Sequence, residues 1–259
     1  MQCNPCKRKR SNLWEVMWPP LLTLVVVLAG WEIIVQAFHV PLVVIPAPSV
    51  IFRETFTYFA SELLEDWLTT VKIVAIGYLS GVPTGIVIAS ILSQSKLLTK
   101  AFTPLVILLV TLPMMVVLPV YMVWVGYDVN YRAILSFIQV AAILTLNTLS
   151  GFKNVDQSKL DLAKSYGASR WQTFTKIIFP NALPEVFQGL RLGCTFSILN
   201  VIGIEFIAGK IGMGFSVQYF SGLLKTPIVW GCILIVGITG RLMFMIVQML
   251  EKRIVTWKR

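Results

Sequence analysis

The polar stretch Lys159-Leu160-Asp161-Leu162-Ala163-Lys164-Ser165-Tyr166-Gly167-Ala168 separates two apolar parts of the chain and is closed by Ile177-Ile178-Phe179-Pro180. It predicts two short helices with a corner between them, because Gly167 is the residue type that accepts a left-handed conformation at a helix end. Pro180 has no N–H and is expected to end the second helix. The pattern is typical of a helix pair that lies on a membrane surface and is offered to a soluble partner.

Two hydroxyl residues around this corner have the spacing of capping boxes. Ser158 is followed three residues later by Asp161, and Ser169 is followed three residues later by Gln172. In such a box the hydroxyl and the acid or amide each accept a hydrogen bond from a free N–H at the helix start. The sequence therefore predicts that one helix begins after Ser158 and the other after Ser169.

The rest of the chain is too apolar for a soluble globule. Of its 259 residues, 56% are hydrophobic and 13% are charged, which indicates an integral membrane protein. A helix needs about 20 mostly apolar residues to cross a bilayer. The predicted fold class is an all-α membrane protein with six transmembrane helices, and the helix pair lies between the fourth and the fifth. The six spans are expected at about 21–38, 73–92, 105–125, 133–149, 187–208 and 228–250.

Basic residues predict the orientation of these spans. When the N-terminus is placed in the cytoplasm, most of the 22 lysines and arginines fall on the cytoplasmic side, as the positive-inside rule requires. The net charge of +10 is then a sign of topology, since aromatic residues are not interleaved with the charges as in nucleic-acid-binding modules. We expect both termini in the cytoplasm, contact with membrane lipid and no nucleic-acid partner.

This topology divides the chain into four parts. The basic N-terminal tail could also begin a signal peptide, but no small-residue cleavage site follows before Pro41, so an uncleaved first helix is expected. The predicted parts are a cytoplasmic tail (1–20), a peripheral first span with an external segment and a short surface helix (21–66), a five-span core with a cytoplasmic loop at about 151–184 (67–250), and a cytoplasmic tail (251–259).

Glycine and proline predict local features of two spans. Gly77, Gly81 and Gly85 recur every fourth residue in the second span, so another helix backbone is expected to approach this stripe closely. Pro113 and Pro119 lie in the third span, where each removes a hydrogen bond within the helix and permits a kink.

Polar groups within spans are candidates for a solute pathway, because they are costly in a membrane. Glu205 precedes a glycine-rich segment, and it either shapes the pathway or an external gate, or pairs with a basic group or a backbone N–H. Asn147 and Asn200 either line a wet cavity or bond between helices, and bonding between helices is the favoured interpretation. Met114 follows Pro113. A kink at this proline either lies beside the pathway or is a simple bend of the helix against its neighbours.

Residues for catalysis are missing from the sequence. It contains no phosphate-binding loop of the form GxxxxGK followed by Ser or Thr, and His39 is its single histidine. Cys3 and Cys6 have the CxxC spacing of a metal site, but a lone pair is weak evidence, and a flexible tail is the favoured interpretation. We therefore expect a chain that is not an enzyme and that carries no catalytic, cofactor or metal site.

The polar stretch resembles the signature of a known family. Glu-Ala-Ala, a glycine and a later proline mark a cytoplasmic loop in permease subunits of binding-protein-dependent ABC importers. The resemblance covers about residues 45–250 and is greatest to the nitrate, sulfonate and taurine branch, which also includes permeases for vitamin precursors. Asp161 and Leu162 depart from the usual Glu and Ala. The matching positions are Asp161, Leu162, Ala163, Gly167, Pro180, Asn147-Thr148, Gly151, Ala182-Leu183-Pro184, Gly189-Leu190-Arg191, Glu205 and Gly212-Met213-Gly214.

This resemblance implies the fold of type I ABC importer permeases in the plasma (inner) membrane of a prokaryote. A second copy or a close paralogue would complete the pathway, and an external substrate-binding protein would deliver the solute. Two ABC ATPase subunits would bind ATP and Mg. The solute would be a small oxyanion, a sulfonate or a vitamin-precursor-like molecule. The residues implied in coupling to the ATPase are Asp161, Leu162, Ala163, Tyr166, Gly167, Ala168 and Pro180.

An autonomous channel or an ion-coupled secondary carrier is the alternative. Such carriers often place acids or histidines within the membrane and use broken helices in corresponding halves. Only Glu32 and Glu205 are acids clearly within or at the ends of spans, and the two halves show no visible symmetry. A carrier also has no need of a docking segment such as 158–180, so the importer is the preferred interpretation.

Overall fold

The computed structural model describes residues 13–126 and 130–256, with side chains described from Trp18 onward. It consists of helices, and these two ranges contain no strand, which confirms the all-α prediction. Cys3 and Cys6 lie outside the described residues. The α-helices are α1 (Leu13–Ala37), α2 (Pro48–Tyr58), α3 (Leu64–Ser93), α4 (Lys96–Thr111), α5 (Met114–Val125), α6 (Tyr131–Lys153), α7 (Gln157–Ser165), α8 (Arg170–Thr173), α9 (Phe179–Ala208), α10 (Met213–Gly222) and α11 (Thr226–Ile254).

Five helical stretches of the described residues are long and apolar enough to cross a membrane. α4 and α5 together pass the same test, although they meet at a bend of 99°, and counting the pair as one span brings the number to the predicted six. The five stretches are Trp18–Ala37, Pro48–Ser93, Tyr131–Lys153, Arg170–Ala208 and Thr226–Ile254.

The predicted third span is interrupted near its middle. Leu112 has an extended conformation, with ψ of 120°, and Pro113 beside it is also extended and lies outside the two helices. Because proline has no N–H, it cannot donate to the carbonyl four residues earlier, and α4 ends here. Pro119, in contrast, lies inside α5, which continues past it. The prediction of one kinked helix over 105–125 is therefore corrected to two helices at a sharp angle.

The segment before the second span becomes helical much earlier than predicted. α2 passes through a π-helical turn, Phe59–Leu63, directly into α3, so one uninterrupted helix replaces the predicted separate surface helix. α2 packs against α11, where a Cβ on Gly231 would lie 1.9 Å from Thr55 Oγ1. This packing gives the apolar side of α2 a protein surface to cover it, which a helix alone on a membrane surface would lack.

α1 lies at the periphery and is attached near its C-terminal end. The Glu32 carboxylate accepts hydrogen bonds from the Ser49 N–H (3.0 Å) and the Ser49 hydroxyl (2.7 Å) at the start of α2. The rings of Trp31 and Trp230 pack edge to face with their centroids 5.2 Å apart. Most other described side chains of α1 are exposed, as suits a helix that faces lipid on most sides.

α3, α6 and α9 form the centre of the molecule. The glycine stripe of α3 lies against α6, where a Cβ on Gly81 would be 2.8 Å from Val140 Cβ. A Cβ on Gly85 would be 2.5 Å from the Ala141 carbonyl oxygen. Larger residues at these positions would force the two backbones apart, so the predicted close approach is confirmed.

Candidate functional site

The corner segment, residues 156–180, begins with a cap that differs from the predicted one. Asp156 precedes α7 and accepts hydrogen bonds from the Ser158 hydroxyl and, at 3.0 Å, from the Ser158 N–H. The bond from the Ser158 hydroxyl, and to a lesser extent the bond from the Ser158 N–H, holds the pKa of Asp156 below its usual range. The predicted capping box of Ser158 and Asp161 is wrong, because Asp156 occupies the cap position. Asp161 accepts from Gln157 Nε2 at 3.1 Å instead.

α7 ends at a glycine corner. Gly167 has a φ of +70°. The Gly167 N–H donates to the Lys164 carbonyl at 2.9 Å, and the Ala168 N–H donates to the Ala163 carbonyl at 3.0 Å. These two bonds form a Schellman motif, in which a glycine in the left-handed region closes a helix. The predicted corner at Gly167 is confirmed.

The second helix of the pair begins as predicted. Ser169 Oγ accepts from the Gln172 N–H at 3.2 Å, and Gln172 Oε1 accepts from the Ser169 N–H at 2.9 Å. This reciprocal pair of bonds is a complete capping box. The corner between α7 and α8 is therefore fixed at both sides by groups within a few residues of it.

Pro180 does not end the second helix, contrary to the prediction. The helix continues from Arg170 to Ala208. A π-helical turn, Phe174–Ile178, ends two residues before the proline, and the Phe179 N–H reaches back five residues to the Phe174 carbonyl. In a regular α-helix the proline ring would clash with the carbonyl four residues earlier, and the wider turn makes room for it.

One side of the corner segment is anchored and the other is uncovered. The Phe174 ring packs on Phe152 of α6, with the centroids 5.3 Å apart, and Ala163 is buried. Large apolar side chains that stay uncovered on a polar segment are typical of a protein interaction surface. The uncovered large side chains are Leu162, Tyr166 and Trp171, which are 59%, 83% and 73% exposed.

Open grooves beside α7 bring several of the predicted coupling residues together. The first groove is open to solvent, and Lys159 and Lys176 add positive charge to its apolar lining. A second open groove is lined by Ala168 and Arg170, among others. Asp161 and Gly167 are not among the residues that line these two grooves. The coupling residues that line the first groove are Leu162, Ala163, Tyr166 and Pro180.

A second polar site lies near the other end of α9. This buried polar cluster consists of the buried Glu205, Arg132 and Thr70, with the half-buried Asp66 at its edge. Glu205 has no exposed surface. Its carboxylate accepts from the Arg132 guanidinium at 3.1 Å and from Thr70 Oγ1 at 2.8 Å. It also accepts from the Gly214 N–H at 3.1 Å. The predicted pairing of Glu205 with a basic group and a backbone N–H is confirmed, while its role in a gate stays a prediction.

The cluster also fixes the segment that joins α9 to α10. Asp66 accepts from the Gly212 N–H at 2.8 Å and from the Ser216 hydroxyl. Gly212 has a φ of +122°, and a Cβ there would lie 2.4 Å from the Glu205 carboxylate. Glycine is therefore required at this position both by its backbone conformation and by the approach of the carboxylate.

Arg132, Asp66 and Thr70 were not predicted from the sequence. Arg132 stands just before the predicted fourth span, and Glu205 lies near the end of the fifth. A basic and an acidic residue at the same side of a membrane are a usable signal for a pair, because buried charges there require partners. Asp66 and Thr70 carry no such signal, because an acidic or hydroxyl residue just before a span needs no buried partner.

The remaining predicted pathway residues have separate surroundings. Asn147 Nδ2 donates to the Ile143 carbonyl of its own helix at 2.9 Å, so the favoured bond between helices is not the one it makes. Asn200 is buried, and its Nδ2 has no hydrogen-bond partner among the described residues. Met114 is buried and packs in a cluster with Leu118 and Ile204. The place of these residues in a pathway stays a prediction.

Metal-ligating side chains are scattered over the structure. Within residues 13–126 and 130–256, no three His, Cys, Asp or Glu side chains are grouped so that they could hold a metal ion. The two described cysteines, Cys194 and Cys232, are buried free thiols.

Comparison with known proteins gives a family match over most of the chain. A sequence profile of the family described as "Binding-protein-dependent transport system inner membrane component" matches residues 81–256. The riboflavin transport system permease protein of Chloroflexus aurantiacus is 23% identical over 251 residues, which cover 95% of this chain and 94% of the relative. The taurine transport system permease protein of Escherichia coli is 25% identical over 241 residues, which cover 91% and 88%.

A solved structure has a similar fold. A chain of a bacterial alginate ABC transporter, solved in complex with an alginate pentasaccharide-bound periplasmic protein, matches with a TM-score of 0.57 and 15% sequence identity. The match covers 95% of this chain and 99% of the other. At this identity the likeness concerns the fold, which the two chains share over nearly their whole lengths.

Proposed function

Because this chain belongs to the family of inner membrane components of binding-protein-dependent transport systems, we propose that it forms half of the solute pathway of an ATP-driven importer. The family consists of non-catalytic permease subunits of ABC importers, and the chain is thus a multi-pass permease of the bacterial inner membrane. An ATPase and a periplasmic binding protein belong to such a system. A second permease subunit, either a copy or a close paralogue, completes the pathway in this proposal.

The corner segment is the proposed contact with the ATPase. One observation carries this assignment: Leu162, Tyr166 and Trp171 are exposed on a segment whose corner is already fixed by local caps. The segment thus has no need of these side chains for its own structure, and a cleft of an ATPase subunit would cover them. Asp161, which is exposed, would offer its carboxylate to basic or N–H groups of that cleft.

The proposed motion passes from the corner into the spans. Closure of two ATPase subunits around ATP and Mg would displace α7 and α8 together, because the Gly167 corner joins them tightly. The helix from Arg170 to Ala208 is uninterrupted, so α9 would move with the corner. The ion pair of Arg191 with Glu251 joins α9 to α11, which would carry the displacement to a second span.

The proposed orientation places the corner segment and both termini in the cytoplasm. The buried polar cluster then lies at the external ends of the spans. Support comes from the excess of basic residues on the cytoplasmic side of this topology. Membrane lipid would cover the exposed apolar side of α1. The external binding protein would then meet the side of the molecule that holds the α9–α10 connection.

The proposed solute is a small oxyanion, a sulfonate or a vitamin-precursor-like molecule. Relatives of similar identity are a riboflavin permease and a taurine permease, and these two solutes differ widely in size and charge. The support therefore extends to the class of small polar solutes and not to one compound.

Substitution of Gly167 tests the coupling role. Gly167→Val should leave membrane insertion unchanged and uncouple ATP hydrolysis from uptake, because a β-branched residue resists a left-handed conformation. Gly167→Asn is the matched control, since asparagine accepts this conformation more readily. Uptake and ATP hydrolysis would be measured in vesicles that contain the permease and its ATPase, with the binding protein added outside.

Uptake per ATP equal to the parent's in Gly167→Val would overturn the coupling role. Uptake by the purified chain without ATP and without an ATPase would instead favour the carrier. Loss of uptake on removal of the ATPase supports the importer.

A further inference from the structure

The break between α4 and α5 leaves backbone groups that need partners. In an uninterrupted helix the Val110 carbonyl would accept the N–H of Met114, four residues later. The extended Leu112 and Pro113 separate these two groups, and the two helices diverge by 99°. Little water is available inside a membrane to replace a lost backbone bond, so another protein group has to supply it.

Gln139 of α6 supplies that bond. Its Nε2 donates to the Val110 carbonyl at 2.9 Å, and the side chain is buried, with 2% exposure. The bond links α6, in the centre of the molecule, to the last turn of α4. Gln139 therefore takes the place of the backbone N–H that the break removed.

The second polar atom of the same amide is not satisfied. Gln139 Oε1 is buried and has no hydrogen-bond partner among the described residues. An unpaired amide oxygen in an apolar environment is costly. The bent arrangement thus satisfies the Val110 carbonyl but leaves Gln139 Oε1 unpaired, and the cost of that unpaired atom reduces the net stability of the bent form.

The pair α4–α5, here called the arm, is lightly attached to the centre. None of the residues of α4 is buried. The Thr99 hydroxyl of α4 donates to the Leu92 carbonyl at the end of α3 at 2.7 Å. α5 is held mainly by the apolar side chains Met114 and Leu118. An arm of this kind can change its angle without breaking a large polar network.

We propose that the Leu112–Pro113 break is a hinge, and that Gln139 is the positioning residue that holds it in the bent form. The inference rests on the proposed transport function, in which the arm changes its angle as the pathway opens and closes. In the straighter form the Met114 N–H donates to the Val110 carbonyl in place of Gln139 Nε2. The Gln139 amide then loses its bond to the arm. Gln139 contributes to transport by setting the ratio of the two forms.

The distance across the hinge can be measured by electron paramagnetic resonance. Nitroxide labels would be placed at Leu97 and Val123, which are 76% and 83% exposed. The native cysteines Cys3, Cys6, Cys194 and Cys232 would be replaced by alanine. At a rise of 1.5 Å per residue, the two backbone positions lie about 25 Å apart at the observed bend and about 39 Å apart in a straight helix.

The full chain would be studied in lipid nanodiscs, with labelled chain diluted in an excess of unlabelled chain so that distances within one chain dominate. Gln139→Met removes the donor at similar volume and should raise the ratio of long to short distances about fivefold. Thr103→Val is the matched control, because Thr103 bonds to the Thr99 carbonyl within α4. This control should leave the distribution unchanged.

A distance distribution in Gln139→Met that equals the control's would overturn the hinge role. Gln139→Asn keeps the amide but is one methylene shorter, and it should give the same shift if the Met variant fails to fold. A parent distribution without the short distance would also overturn the proposal. The measurement uses the permease chain alone, so its failure is distinguishable from a failure of ATPase coupling, which the Gly167 variants test.

Discussion

The corner segment and the buried polar cluster lie near opposite ends of the helix from Arg170 to Ala208, and they use polar groups in opposite ways. In the corner segment, Asp156 and Ser169 bond to backbone groups two or three residues away and stay exposed. In the cluster, Glu205 and Arg132 bond across different helices and are buried. The first arrangement needs no tertiary contact, whereas the second holds the helices of one chain together.

In the proposed function, this difference separates residues that would contact a partner from residues that stabilise the fold. Local caps leave Leu162 and Tyr166 free to be covered by another protein. The paired Glu205, in contrast, has its hydrogen-bonding capacity taken up by its own chain. Substitutions in the two regions should therefore affect different measurements.

The largest effect on stability is expected for the cluster. Glu205→Ala leaves the Arg132 guanidinium buried without its counter-charge, and we expect a loss of about 3–5 kcal/mol in the free energy of unfolding. Denaturant titration of the purified chain in detergent would measure it. Asp161→Ala is the control, because its ion pair with Lys164 is exposed and should contribute less than about 1 kcal/mol. Equal losses in the two variants would contradict the distinction.

A smaller effect, on assembly and not on stability, is expected for Asp161. Asp161→Ala should reduce copurification of the ATPase about fivefold, whereas Asp161→Glu should retain it, since the longer side chain keeps the carboxylate. Membrane levels of the two variants should be equal. Equal recovery of the ATPase with both variants would show that the carboxylate has no role in docking.

The smallest effect is expected at the cap of α7. Because the pKa of Asp156 is lowered in the folded chain, its capping contribution is fully present above the ordinary aspartate pKa and is lost as the pH falls through the lowered value. At neutral pH, Asp156→Ala should speed amide exchange in the first turn of α7 about fivefold. Exchange followed by mass spectrometry would measure this.

Asp156→Asn provides the control for the pH dependence. Asparagine caps a helix about as well as aspartate but does not titrate, so the Asn variant should keep its protection at acidic pH when the parent loses it. The same loss in both chains would assign the effect to another group.

The sequence predicts most features that depend on neighbouring residues, although not the cap of α7, and it fails where distant residues decide. Gly167 and the box of Ser169 and Gln172 were predictable because each motif is complete within a few residues. The pair of Arg132 and Glu205 joins residues 73 positions apart, so only the folded chain brings them together.

The two errors with proline have a common cause. Pro180 was expected to end a helix, but the π-helical turn before it absorbs the ring. Pro113 was expected to give a kink, but the break is sharper, because Gln139 offers the freed Val110 carbonyl another partner. The effect of a proline on a helix thus depends on whether the surrounding structure can make room for its ring and offer hydrogen-bond partners to the backbone groups that it leaves unpaired.

If the corner segment docks on an ATPase as proposed, the unbroken helix through Pro180 would amplify a rotation of the corner. At 1.5 Å per residue, its 39 residues extend about 58 Å, nearly twice the thickness of a bilayer's hydrocarbon core of about 30 Å. A tilt of about 5° at one end of such a rod displaces the other end by about 5 Å. A modest rotation of the corner by a partner would therefore become, at the far side of the membrane, a movement as large as a small solute.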